Sequence, residues 1–301
     1  MAKILISDAV ADNCVEKLKQ GGHELVFKTE KKTPEELAEI IPGYDAVIVR
    51  SATKVRKVAI DAADQLKIIV RAGVGLDNID CDYAQSKGVK VSNTPTASSA
   101  AVAELALAHM FALYRFIPQA NITMRQGEWN KKQYKGRELS GKTLGIIGFG
   151  NIGKTLAKKA LALGMNVIAY DPYVDSTKLN VNIMEKDEVL QNADIVSLHI
   201  PHTKETHYLI DEDALSLMKN NAILINCARG GVVDEKALLE ALKNDEIAGA
   251  GVDSFEEEPT DNIDLVNNPK ISVSPHIGAA TKEAQARVGL EAASIINNFF
   301  A

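Results

Sequence analysis

The chain is 301 residues long, 46% hydrophobic and 25% charged, with a formal net charge of −6. That length accommodates two domains, each with its own core, and the composition is that of an ordinary globular chain. The negative balance excludes the basic face that nucleic acid demands, so no nucleic-acid partner is expected. Three scattered cysteines, Cys14, Cys81 and Cys227, neither build a disulfide framework nor form a CxxC metal motif, so no metal site is expected. No apolar run approaches membrane-spanning length, and MAKILISD begins on strand-like sequence without a signal-peptide pattern. A reducing cytoplasm and no membrane partner are therefore expected.

Short β-rich runs alternate with helical periods from end to end. The first third holds KILIS, ELVF, DAVIV, KIIV and VKVS, separated by stretches such as DNCVEKLKQGG and TPEELAEII. In the latter, Thr33, Pro34 and Glu36 predict a capping box: a hydroxyl at the N-cap, proline at the first helical position and glutamate three residues on. Residues 96–116 predict a long helix with Ser98 and Ser99 as candidate caps. Its apolar positions run round more of the circumference than one face needs, so two surfaces should bury it. From about residue 142 the alternation restarts with TLGIIG, MNVIAYD, DIVSLHI, AILINCA, AGAGVD and ISVSP, and Thr281 to Phe300 predicts a closing helix. Nearly continuous apolar strands with helices between them indicate parallel sheets covered on both faces. Two such series indicate an α/β chain with two doubly wound domains.

The second series carries a phosphate-binding pattern. GFGNIG places Gly148, Gly150 and Gly153, with Asn151 and Ile152 between, directly after the strand TLGII and at the start of a helical run. The first glycine permits a tight turn, the second lets backbone approach a pyrophosphate, and the third lets helix and strand pack closely. The phosphates would sit at the helix N-terminus. The next strand ends at Asp171, whose carboxylate can accept from ribose hydroxyls and repel a 2′-phosphate, so the expected cofactor is NAD rather than NADP. Further on, Arg229, Glu258 and His276 each follow a short β-rich run, AILIN, AGAGV and ISV, where open α/β sheets place ligand groups. Arginine can grip a carboxylate in two parallel hydrogen bonds. Histidine exchanges a proton near neutral pH, and a glutamate can orient it. Beside a nicotinamide, these three groups can move hydride to or from a 2-hydroxy acid. Basic residues cluster in RSATKVRK, with Arg50, Lys54, Arg56 and Lys57, and in NKKQYKGR, with Lys131, Lys132, Lys135 and Arg137. Arg50 immediately follows the strand DAVIV and is the preferred ligand for a phosphate or carboxylate.

The sequence resembles the D-2-hydroxyacid dehydrogenase family over essentially its whole length. VRSATKV at 49–55, RAGVGLDNID at 71–80, NTP at 93–95, ELSGKTLGIIGFGNIG at 138–153, YDP at 170–172, NCARGGVVDE at 226–235 and SPHIGAATKEAQ at 274–285 carry the likeness. Arg229, Glu258 and His276 match the family's catalytic residues, and the branch most similar oxidises 3-phosphoglycerate. The resemblance implies two Rossmann- or flavodoxin-like domains with a cleft between them. Residues 1–95 plus 281–301 would bind substrate, and 96–280 would bind NAD. It also implies Val74, Ile200, Cys227, Ala228, Asp253, Gly278 and Ala279 as further cofactor contacts, and Arg50, Arg71, Gly73, Gly75 and Lys135 as substrate contacts. A homodimer through the helix at 96–116 is implied as well. The chain stops near the end of the family's dehydrogenase core, which leads to the expectation of a short form without a C-terminal regulatory domain. Two other readings share the motifs: a dehydrogenase for an unphosphorylated acid such as glyoxylate or lactate, and a non-catalytic NAD(H)-sensing scaffold.

Overall fold

The computed structural model describes residues 1–301, which divide into two compact units, Met1–Ser99 with Ala279–Ala301 and Ala100–Gly278. The first unit holds five strands: β1 (Lys3–Ile6), β2 (Glu24–Phe27), β3 (Ala46–Val49), β4 (Ile68–Arg71) and β5 (Lys90–Asn93). All pair in parallel in the order β2-β1-β3-β4-β5. The second holds β6 (Thr143–Ile147), β7 (Asn166–Tyr170), β8 (Asn182–Ile183), β9 (Ile195–Leu198), β10 (Ile223–Asn226), β11 (Gly249–Val252) and β12 (Ile271–Val273). Their order is β12-β11-β10-β9-β6-β7-β8, again all parallel. The expected doubly wound α/β class is what forms. The two-residue β8 is the one strand that sequence patterning misses, because two residues carry no periodicity.

The strands read as continuous apolar runs because alternate residues serve opposite cores. In the first unit Ile4, Ile6, Ile48, Ile68 and Val70 belong to one buried cluster, while Leu5, Val47, Val49 and Ile69 belong to the other. The C-terminal helix Lys282–Phe299 closes the former with Val288, Ala292, Ala293 and Ile296. Thr33 caps its helix as expected: its hydroxyl accepts from Glu36 N at 3.2 Å, while Thr33 N donates to the Glu36 carboxylate at 2.7 Å.

In the second unit Leu144, Ile146, Ile195, Ile223 and Ile225 face the helix Ser99–Arg115, while Val196, Leu198, Leu224, Ala250 and Val252 line the opposite face. The glycines of β11 let that helix lie close to the sheet. A Cβ on Gly251 would come within 2.7 Å of His109 Cβ, and one on Gly249 within 3.4 Å of Leu113. The helix is less apolar outward than expected, for its exposed residues Glu104, Ala108, Phe111 and Arg115 form one stripe. Apart from Phe111 on that stripe, the large exposed apolar side chains of this region lie at its end and beyond it, at Phe116, Ile117, Ile122, Met124 and Trp129. Ser99 does not cap this helix, since its hydroxyl is buried without a hydrogen-bond partner.

Gly145, in the centre of β6, faces the helix Lys186–Asn192. A Cβ there would lie 2.7 Å from Val189 Cγ1 and 2.8 Å from Ala193 Cβ. Overpacking a tight core costs about 1–3 kcal/mol. Gly145→Ala is expected to lower the unfolding free energy read from urea denaturation by that amount, and an unchanged value would show that the helix shifts freely on the sheet.

Candidate active site

The glycine loop lies where the winding of the second sheet reverses, between neighbours β6 and β9, which is the ligand-binding point of an open α/β sheet. Gly148 has φ +95°, and a Cβ on it would meet the His199 carbonyl at 2.5 Å and Ile200 Cγ2 at 2.6 Å. Gly153 is buried, and a Cβ there would lie 2.3 Å from the Gly148 carbonyl. Gly150 differs, because a Cβ on it would meet nothing within 4 Å and it caps the helix Asn151–Ala162. Two glycines therefore serve packing, and the third keeps the space above the helix N-terminus open. That space, with the first-turn N–H groups beneath it, fits a pyrophosphate. Asp171 follows β7 and ties it to the glycine loop: its carboxylate accepts from Phe149 N at 2.7 Å and from Tyr173 N at 2.9 Å. These residues fit a dinucleotide.

Arg229, Glu258 and His276 follow the C-terminal ends of β10, β11 and β12, three adjacent strands. Asn226, the last residue of β10, shapes the arginine's loop by donating to Arg229 O at 3.0 Å and accepting from Ala228 N at 3.1 Å. Arg229 Nη1 also bonds Ala228 O at 2.7 Å. Gly230 belongs to the same turn, and a Cβ there would collide with the Phe255 carbonyl at 1.7 Å. His276 Nδ1 lies 2.8 and 2.7 Å from the two Glu258 oxygens, and both side chains are partly exposed. With Nδ1 facing a carboxylate, that nitrogen carries the proton and Nε2 is left to exchange one with a substrate. His276 sits at φ +50°, a conformation that persists only where its surroundings enforce it.

The enforcing group is Asp253, 1% exposed, just past β11. Its carboxylate accepts from the Ser274 hydroxyl at 2.5 Å and from the amides of Ile277 and Gly278, each at 2.9 Å. Asp253 thus grips the loop on both sides of His276. Of the other residues expected around the cofactor, Cys227 and Ala228 are buried at the end of β10, Ile200 borders Gly148, and Gly278 receives Asp253. Burial raises the Cys227 thiol, with the nearby Asp253 charge adding to the effect, so this cysteine is a packed apolar group.

The first unit places its own candidates at the C-terminal ends of β3 and β4. Gly73, at φ +157°, lies against the Arg71 guanidinium, since a Cβ on it would come within 1.9 Å of Arg71 Nη1 and displace that side chain. The turn that follows is tied to β5 and the residue beyond it: Thr94 N donates to Gly73 O at 3.0 Å, and Asn93 bonds Val74 O at 2.5 Å. Gly75 is half-buried in that turn. The segment Arg50–Thr53 is held from below by Asp8, 6% exposed, which accepts from Arg50 N and Thr53 N and from the Thr53 hydroxyl. Asn78 donates to Arg50 O at 2.7 Å and Thr53 O at 2.6 Å. Arg50 itself bonds Ala9 O through Nη1 at 3.2 Å. Within the same cluster, Arg56 is paired with Asp80 at 2.9 Å and the Lys57 ammonium lies over the Tyr83 ring, 5.3 Å from its centroid, while Arg50 and Lys54 form no ion pair with a carboxylate and are the preferred cations for an anion. Ala279, expected at the cofactor, falls in this unit, with its carbonyl held by Gln285 at 2.7 Å.

Lys135 is not brought to the C-terminal edge of the second sheet. Two residues on, Arg137 is fixed at the opposite edge by bonds to Tyr114 O at 2.9 Å and Asn221 O at 2.8 Å. The supporting residues Asp8, Asn78, Asn226 and Ser274 were not singled out from sequence. Asp8, Asn78 and Asn226 act on loop backbone and Ser274 on the Asp253 carboxylate, and for all but Asn78 the one available signal was a short polar side chain at or just beyond a strand's end.

The family profile described as D-isomer specific 2-hydroxyacid dehydrogenase, NAD binding domain, matches residues 107–278. A hydroxypyruvate reductase of Thermotoga maritima is 49% identical over 271 residues, covering 89% of each chain. A D-3-phosphoglycerate dehydrogenase of Methanocaldococcus jannaschii is 45% identical over 293 residues, covering 96% of this chain. This chain spans 56% of that relative's length. Among solved structures, a glyoxylate reductase from Paecilomyes thermophila superposes with a TM-score of 0.90 at 31% identity, covering 98% of this chain and 94% of its own.

The open space at Gly150 separates binding from folding. Gly150 has φ −78°, which any residue tolerates, so Gly150→Ala is expected to leave the thermal midpoint unchanged. It should weaken NAD binding, read by calorimetry, at least about tenfold, as a lost close approach worth about 1.4 kcal/mol implies. Wild-type affinity in this variant would place the pyrophosphate elsewhere.

Proposed function

The chain belongs to the D-isomer specific 2-hydroxyacid dehydrogenase family, and we propose that it oxidises 3-phosphoglycerate at C2 with NAD. The observation that carries the reaction class is the His276–Glu258 pair, held on a loop that a buried carboxylate fixes at positive φ. Bound NAD supplies the hydride acceptor. His276 takes the C2 hydroxyl proton at Nε2, and Glu258 stabilises the imidazolium through Nδ1. Arg229 pairs with the substrate carboxylate, and Gly73 and Gly75 are the proposed substrate contacts of the first unit. Asp171 faces the adenosine ribose and disfavours a 2′-phosphate. Val74, Ile200, Cys227, Ala228, Gly278 and Ala279 complete the proposed cofactor contacts, with Asp253 acting mainly on the histidine loop.

Arg50 is proposed as the phosphate ligand because its backbone is anchored by Asp8 and Asn78 while its guanidinium makes a bond to a carbonyl, not an ion pair with a carboxylate. Lys54, four residues on, and Arg71, in register with Val49 on the neighbouring strand, are secondary candidates. The residues Phe111, Ile117, Ile122, Met124 and Trp129 supply an exposed apolar surface that suits a homodimer, with the helix Ser99–Arg115 at its base. No single helix is long and apolar enough to cross a membrane, and a cytoplasmic setting is proposed, which the three unpaired cysteines suit. A second reading, reduction of hydroxypyruvate through the same groups, is favoured by the 49% identity to the Thermotoga maritima reductase. It needs no phosphate ligand.

His276→Gln is expected to lower turnover by about 10²–10⁴-fold, the usual contribution of a positioned acid/base, with NAD affinity within twofold of wild type. Retention of more than a tenth of the activity would remove His276 from this role. Arg50→Ala distinguishes the substrates. A charge-assisted hydrogen bond contributes about 1.5–3 kcal/mol, so kcat/KM should fall at least about tenfold for 3-phosphoglycerate and little for glycerate or hydroxypyruvate. Equal losses on all three would overturn the phosphate assignment.

A further inference from the structure

A buried histidine on the helix Ser99–Arg115 reaches the same loop from beneath. His109 is 4% exposed, and its ring occupies the space left by the bare backbone of Gly251 in β11. Its Nδ1 lies 2.9 Å from the Ser272 hydroxyl and its Nε2 lies 3.0 Å from the Ser274 hydroxyl. Both serines belong to β12 or the residue just past it, and Ser272 pairs in register with Gly251.

The hydrogens in this network can be assigned by counting. A serine hydroxyl has one proton. That of Ser274 goes to Asp253 Oδ1, because a carboxylate only accepts. The Ser274 oxygen must then accept from His109, so His109 carries a proton on Nε2. In the neutral ring, Nδ1 is an acceptor and takes the Ser272 proton. The proton donations along the chain from Ser272 to Asp253 thereby all run in one direction. Burial lowers the pKa of His109, opposed by the Asp253 charge, which agrees with the neutral ring.

We propose that His109 is a positioning residue for the acid/base: its Nε2–H fixes the Ser274 hydroxyl toward Asp253, and Asp253 in turn fixes the backbone on either side of His276. This rests on the reading of His276 as the proton-transfer group, but the network itself does not depend on it. If His109 is lost, Ser274 can turn its hydroxyl away, Asp253 loses an acceptor bond, and the amides of Ile277 and Gly278 are held less firmly. An imidazole at φ +50° would then sample other backbone conformations. The expected signature is a fall in turnover without a fall in cofactor affinity.

Three variants of the full chain test this. His109→Leu keeps the apolar bulk and removes both ring nitrogens. His109→Gln retains one donor and one acceptor at similar reach. Ser274→Ala removes the link to Asp253 from the other side. The first readout is amide hydrogen exchange at Ile277 and Gly278 in protein without added cofactor or substrate. Exchange should quicken at least tenfold in His109→Leu and Ser274→Ala and return to within threefold of wild type in His109→Gln, with core amides of β6 and β9 unchanged. The second is kinetic: kcat should fall about tenfold in the first two variants, KM for NAD should hold within twofold, and Gln should restore most of kcat. Uniformly faster exchange throughout residues 100–278, or no rescue by Gln, would reduce His109 to a packing residue and overturn the proposal. Unchanged exchange at both amides would overturn it as well. Absence of hydroxyacid turnover in wild type would instead refute the functional reading, since the exchange readout is independent of it.

Discussion

A parallel strand in the middle of a sheet must be covered on both faces, and this constraint organises both units. Because crossover helices return each strand to the same starting edge, every strand of a sheet points its C-terminus one way. The loops that leave those ends gather along one edge of the sheet, free of the ladder and close to one another. Gly148, Asp171, Arg229, Glu258 and His276 all lie in such loops of the second sheet, and Arg50 and Gly73 in those of the first. The apolar alternation that fills four buried clusters thereby decides where the chemistry stands.

Placement at an edge does not by itself give orientation. In these functional loops a polar side chain, at a strand's end or in a neighbouring turn, hydrogen-bonds loop backbone nearby or in another segment. Asp8 and Asn78 do so for Arg50, Asn226 for Arg229 and Asp253 for His276. A buried carboxylate that accepts several amides is costly to leave unpaired, so the loop conformation that satisfies it is strongly preferred. Ordered loops of this kind offer preorganised groups to a substrate and lose little entropy on binding.

Much of this was legible in the residues. Periodicity located eleven of the twelve strands, because a run such as AILIN is long enough to show that both faces are apolar, whereas Asn182–Ile183 is not. The glycine pattern could be read because each glycine has a steric reason that depends only on nearby chain, and the capping box of Thr33 was equally local. Arg229, Glu258 and His276 were found through their shared position after strands. The supports were hidden for the opposite reason. His109 meets Ser272 and Ser274 across more than 160 residues of sequence, and nothing in AELALAHMFAL marks its histidine as other than a helix residue. The apolar excess of residues 96–116 was likewise a poor guide, since the unit's own core consumes most of it.

The route of the chain has a consequence for how it is made. The first unit borrows its last helix from the far end of the sequence, after the second unit has been completed between residues 100 and 278. A ribosome therefore releases β1 to β5 long before Val288, Ala292, Ala293 and Ile296 exist to cover one face of that sheet. The second unit, contiguous in sequence, can close as soon as it emerges. The earlier-synthesised sheet is thus the later to become fully dry, and in the interval the part of its apolar face that Cys14 and Leu18 leave open is a surface through which nascent chains would stick to one another.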